Sequence, residues 1–99
     1  MDVDGGTKRD AGPDIAAHAP AQAPYTAKQG QYLAFIYYYS RIHGRSPSEA
    51  DMQGYFRVSP PAVHQMVLSL EKLGLIERTP GKSRSLKLLL CREQLPDLR

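Results

Sequence analysis

The 99-residue chain has 13 basic and 10 acidic side chains, a net charge of +3 and a single cysteine. This length allows one domain with a small core and leaves no room for a catalytic cleft or a cofactor domain, and one cysteine excludes an internal disulfide. No apolar run approaches the roughly 20 residues of a membrane span, and the acidic N-terminus is unlike a signal peptide. We therefore expect a cytoplasmic protein that is not an enzyme and contacts no membrane.

Charge divides the chain into two parts. Residues 1–24 have a net charge of −2, are rich in Ala, Pro, Gly and Asp, and contain no aromatic residue. Such a segment buries too little apolar surface to offset its ordering entropy, so we predict an acidic, disordered tail. Residues 25–99 carry eleven basic and six acidic side chains, a net charge of +5. A small basic domain favours nucleic acid as a partner.

The first predicted helix begins after Thr26, because Thr26 and Gln29 have the spacing of a capping box. It runs to about His43 and ends at Gly44, a residue suited to a left-handed C-terminal cap. The tyrosines at positions 37–39 span about 200° of this helix, so at least one ring reaches the surface. These rings either pack in part against later segments of the domain or form a dimer contact, because exposed aromatic side chains often anchor interfaces.

Two further helices follow at short spacing. Ser48 is a candidate N-cap for a short helix to about Phe56, with acidic residues in the first turn, where the helix dipole favours them. Ser59 caps a third helix to Leu73, with Pro60 at the first helical position, where its missing N–H costs nothing. The predicted core-facing stripe of this helix consists of Val63, Val67, Leu70 and Leu73.

After Gly74 the periodicity changes. Residues 75–79 and 85–90 are predicted to form two strands, joined by the turn-rich, basic residues 80–84. A lone hairpin is marginal in water, so its leucine face should pack on the helices. The predicted fold class is mostly α with a small β-hairpin (α+β): a three-helix winged helix-turn-helix over residues 25–91, followed by a flexible C-terminal tail at 92–99.

Several segments between residues 26 and 89 carry a resemblance to a known family. They are Thr-Ala-Lys-Gln at 26–29, the break at 44–47, Ser59-Pro60, and the segments 70–77 and 81–88. With these segments the chain resembles the N-terminal DNA-binding domain of LexA-type repressors, within the wider winged-helix regulators that include the MarR group. Those repressors continue into a self-cleaving domain with a Ser-Lys dyad, and we expect no self-cleavage here, because no second domain is present to hold such a dyad.

The resemblance implies which residues read DNA bases. In that family the cap and the first turns of the third helix contact base edges, and the matching positions here are Ser59, Pro61, Ala62, His64 and Gln65. The family positions of Pro61, His64 and Gln65 usually carry Asn and two acids, so we expect a site other than the standard LexA operator. Glutamine can bond adenine with two hydrogen bonds, and histidine can donate to a guanine or thymine acceptor.

The basic residues predicted to contact the DNA backbone lie outside the third helix. The wing loop, residues 80–85, offers Lys82, Ser83 and Arg84 to phosphates or the minor groove, and Arg45 and Arg57 flank the second helix. Because these contacts release counterions, DNA binding should weaken steeply as salt rises.

The sequence predicts a sequence-specific regulator of transcription, a repressor associated with the nucleoid. It would bind double-stranded DNA, reading the major groove with helix 59–73, and would need no cofactor, metal or small-molecule ligand. The sequence does not decide whether the protein forms a homodimer. The alternative is a winged helix used as a protein–protein adaptor, because no Lys or Arg lies between Val58 and Leu70 on the helix that would read DNA.

Overall fold

A computed structural model describes residues 23–99 and contains three helices followed by a two-stranded antiparallel hairpin. The elements are α1 (Ala27–His43), α2 (Glu49–Phe56), α3 (Pro60–Lys72), β1 (Ile76–Glu77), β2 (Lys87–Leu88) and a short 3-10 helix, Arg92–Gln94. This order confirms the predicted mostly α, winged helix-turn-helix fold. Of the tail predicted at residues 1–24, residues 1–22 lie outside the described residues. No helix of the described part is long and apolar enough to cross a membrane.

Local caps define where the helices begin. The hydroxyl of Thr26 accepts the Gln29 N–H at 3.1 Å, and the Gln29 side chain accepts the Thr26 N–H at 2.9 Å, which confirms the predicted capping box. Ser48 and Asp51 form a second box, with distances of 3.0 and 2.9 Å. Each box satisfies two N–H groups that a helix start leaves unpaired. α1 ends at Gly44, whose φ of 70° is left-handed, as predicted.

The core lies where α1, α2, α3 and the hairpin meet. Its fully buried side chains include Tyr32, Leu33, Ile36, Met52, Val63, Val67, Leu70 and Ile76. Burial of one such side chain contributes about 1.5–3 kcal/mol. Leu73, predicted to complete the stripe of α3, is instead 53% exposed. Its N–H still bonds to Ser69 O at 3.0 Å, so Leu73 keeps the helical register, but it lies about 120° around the axis from Val67, at the edge of the core-facing stripe.

The hairpin is shorter than predicted. Only Ile76 with Leu88 and Glu77 with Lys87 pair across it, although the sequence predicts strands at 75–79 and 85–90. At the loop end of the hairpin the Ser85 hydroxyl accepts the Thr79 N–H at 2.9 Å and donates to Thr79 O at 3.2 Å, so a side chain replaces the backbone pairing there. The predicted leucine face is present, because Leu86, Leu88 and Leu90 are partly buried against the core.

Residues 92–99, expected to be flexible, are packed against α1. Leu95 is only 4% exposed, and the Gln31 side chain donates to Asp97 O at 3.0 Å and accepts the Arg99 N–H at 2.8 Å. A Cβ atom on Gly30 would lie 2.8 Å from the Tyr25 ring and 3.0 Å from the Pro96 ring, so this close approach favours a glycine. The packed domain therefore extends beyond residue 91.

The tyrosine run on α1 is half-buried by later segments of the domain. The Tyr39 hydroxyl accepts a hydrogen bond from Arg84 of the wing loop at 3.2 Å. The Arg92 guanidinium lies 5.7 Å from the ring centroid of Tyr37 and 5.8 Å from that of Tyr38, within the range of cation–π attraction. These contacts agree with the first of the two alternatives for the tyrosine rings, which is partial burial within the domain.

Candidate nucleic-acid interface

The first turns of α3, the start of α2 and the wing loop face one another across a cleft of about 470 Å³. Its lining includes Ser48, Glu49, His64, Lys82, Ser83 and Arg84. The structure therefore brings together one residue predicted to read bases and three predicted to contact the backbone. Arg45 lies elsewhere, in a groove between the end of α1 and β2.

The outward face of α3 begins with small and polar side chains. Pro61, Ala62 and Gln65 are exposed. The Ser59 hydroxyl accepts the Ala62 N–H at 3.3 Å, which caps the helix and leaves the hydroxyl hydrogen for another acceptor. The Gln65 side chain has no hydrogen bond to any residue between 23 and 99, so both the NH2 group and the carbonyl oxygen of its amide can bind a base edge.

His64 is held by an acid of the neighbouring helix. Its Nδ1 atom lies 3.3 Å from both carboxylate oxygens of Glu49, the first residue of α2. From the sequence, Glu49 could be interpreted only as an acid that stabilises the N-terminus of its own helix. The sequence has no pattern that places His64, 15 positions later, beside Glu49, so the sequence analysis missed this contact.

Arg84 binds the helices instead of extending away from the domain. Its Nη1 atom donates to Asp51 Oδ2 at 2.9 Å, to the Tyr39 hydroxyl at 3.2 Å and to the backbone oxygen of Ser46 at 3.3 Å. All three bonds use Nη1, so the predicted phosphate contact would have to use the other N–H donors of the guanidinium. Arg84 connects the wing loop to α1, to α2 and to the turn between them.

Asp51 stays ionised in this cluster. The N–H of Ser48, which donates to Oδ2 at 2.9 Å, lowers the pKa of Asp51 below its ordinary value, and the Tyr39 hydroxyl and the Arg84 guanidinium act in the same direction. The carboxylate is shared between the cap of α2 and the wing loop. Sequence reasoning missed its second role.

The remaining basic residues predicted to contact the backbone are available to a phosphate. Arg45, Arg57 and Lys82 are exposed, and none forms an ion pair within residues 23–99. Arg57 caps α2 in a left-handed conformation, with φ of 56° and its N–H on Gln53 O, so its side chain projects from the turn before α3. Ser83 is exposed at the tip of the wing loop.

The sequence of this domain is similar to that of known proteins. The family model described as LexA DNA binding domain matches residues 22–85. A LexA repressor from Thermosipho melanesiensis is 40% identical over 70 residues, which is 71% of this chain and 35% of that protein. LexA repressors from Thermosipho africanus and Petrotoga mobilis are 42% and 40% identical over 65% of this chain, and 32% and 31% of their own lengths. The chain thus spans about a third of the length of these relatives.

Proposed function

We propose that this chain, which belongs to the LexA DNA-binding domain family, binds double-stranded DNA as a transcriptional repressor. The observation that carries the proposal is the exposed start of α3 beside a basic wing loop, across one cleft. In helix-turn-helix proteins the N-terminal residues of the second helix of the motif contact base edges in the major groove. A bound domain represses by occupying DNA that the polymerase needs.

The base-reading residues that we propose all lie at the start of α3. They are Ser59, Pro61, Ala62, His64 and Gln65. Gln65 offers the donor and acceptor pair that suits adenine, and the small side chains of Pro61 and Ala62 let the backbone of the helix approach the bases. The site recognised should differ from the standard LexA operator, because the polar groups on this face differ from those usual in the family.

The phosphate-binding residues that we propose are Arg45, Arg57, Lys82 and Ser83. The three basic side chains are exposed and without an ion pair in the described part of the chain, so binding a phosphate costs them no existing partner. Arg84 is assigned a different role, in which its bonds to Asp51 and Tyr39 hold the wing loop in place.

We further propose that two copies bind one DNA duplex and that the protein acts in the nucleoid. A single module of this size binds weakly, and a second module on the same duplex acts at high effective concentration. Light scattering with and without a selected duplex measures the number of copies bound.

A gel-shift titration with random duplex DNA, followed by selection from a random pool, tests the function. With three basic phosphate contacts in each copy, the affinity of a single copy should fall roughly 40-fold between about 50 and 200 mM salt, and selection should enrich a defined sequence. Absence of binding at low salt would instead support the adaptor alternative, in which the same surface meets a protein.

A further inference from the structure

We propose that Glu49 determines which base His64 recognises, by holding the imidazole proton on Nδ1 and leaving Nε2 as a hydrogen-bond acceptor. The inference rests on the proposed DNA-binding function and adds to it a specificity-determining residue that does not itself touch DNA. Glu49 acts through His64, as a positioning residue.

The direction of the hydrogen bond follows from the chemistry of its two partners. Both Glu49 oxygens lie 3.3 Å from Nδ1, and an ionised carboxylate can only accept. Nδ1 must therefore carry the hydrogen. Glu49 is fixed in the first turn of α2 by the cap at Ser48, and α2 packs against α3, so the pair is held by two rigid elements.

The second ring nitrogen is then the group that His64 offers to DNA. His64 is half-exposed, with 48% of its side chain accessible, and Nε2 bonds to no group within residues 23–99. In a neutral imidazole with the hydrogen on Nδ1, Nε2 is an acceptor. The donors in the major groove are the amino groups of adenine and cytosine. His64 should thus prefer adenine or cytosine, whereas the sequence alone predicts donation to guanine or thymine.

The other charged groups around His64 come from the hairpin. The basic side chains that line the same cleft are Arg78, Lys82 and Arg84. Arg78 and Arg84 each bind an acid of their own, Glu71 and Asp51. Within residues 23–99, Glu49 is the acid that bonds to His64, so a substitution at Glu49 changes the tautomer with no other acid in place to restore it.

The test is selection from a random duplex pool at pH 8, followed by binding titrations with duplexes that differ at one position. The native protein should prefer the donor-bearing bases at pH 8 by roughly two- to tenfold, the effect of one hydrogen bond. Glu49→Gln keeps the size of the side chain, but the new amide can either accept a hydrogen bond from Nδ1 or donate one to it. The position of the imidazole proton is then no longer fixed, so this variant should lose the preference. Glu77→Gln, the same change at an exposed acid of β1, is the matched control and should keep it.

The possible results are separable. If the native protein enriches no sequence, the proposed function fails, and this inference fails with it. If a sequence is enriched but His64→Ala or Glu49→Gln leaves every position unchanged, DNA binding stands and the role of Glu49 is overturned. A native preference for guanine or thymine at pH 8 also overturns it. Loss of the preference for adenine or cytosine at one position, in both variants, supports it.

Discussion

The Arg84 guanidinium and the Asp51 carboxylate form an ion pair of 2.9 Å between the wing loop and α2. The same carboxylate accepts the Ser48 N–H that begins α2. The wing loop is thereby attached to the helix that supports α3. The position of the wing loop relative to the base-reading face therefore depends on this ion pair. The two side chains of the pair are each about one-third exposed.

Asp51→Asn should weaken DNA binding by about two- to fivefold, the range expected for a partly exposed ion pair. Asparagine can still accept the Ser48 N–H, so the change removes mainly the charge that holds Arg84. Fluorescence anisotropy with a selected duplex measures the effect, and Glu77→Gln, on an exposed acid, is the matched control. If Arg84 were a phosphate ligand, freeing it from Asp51 would make binding tighter in the variant.

The stability of the domain should fall as the pH drops below the ordinary range of an aspartate, about 4. The pKa of Asp51 is lowered in the folded protein by the Ser48 N–H and further by Tyr39 and Arg84. A lowered pKa contributes stability that is present above the unfolded-state pKa and is lost as the pH falls through the folded-state value. Urea midpoints between pH 7 and 2 should depend less on pH in Asp51→Asn than in the native protein. Equal pH dependence in the two proteins would contradict this assignment.

Lys82→Ala and Gln65→Ala should affect DNA binding in different ways. Lys82→Ala should weaken binding to all sequences alike and reduce the slope of log affinity against log salt by about 0.9, because one phosphate contact is lost. Gln65→Ala should leave the slope unchanged and relax the preference at one base position. Lys28→Ala, which removes the same charge from the first turn of α1, controls for net charge. The proposed division of roles fails if both changes alter the salt slope equally.

Leu95→Ala should destabilise the domain by about 2–3 kcal/mol, because this side chain is 4% exposed and its loss leaves a cavity against α1. Urea unfolding followed by circular dichroism gives the change in free energy. Leu89→Ala, at a side chain 45% exposed, should cost less than about 1 kcal/mol and serves as the control. Equal small effects would show that residues 92–99 are as flexible as the sequence predicts.

The sequence was most informative where an interaction spans three or four residues. Thr26 with Gln29, Ser48 and Ser59 could be recognised as caps because partner and cap lie in one turn of helix. The inward positions Val63, Val67 and Leu70 could be read from helical periodicity, since that spacing repeats as long as the helix continues. The prediction was wrong for Leu73, because each step of three residues moves about 60° around the helix and carries this last position out of the core-facing stripe.

The amino-acid sequence by itself determined the order of helices and hairpin, the caps that start each helix and the polar residues at the start of α3. Only the tertiary structure decided that Arg84 binds Asp51, that His64 binds Glu49 and that Gln31 of α1 binds the backbone of Asp97. These contacts join residues 33, 15 and 66 positions apart. Local propensity does not specify them, because they depend on the relative orientation of elements that the packed core alone fixes.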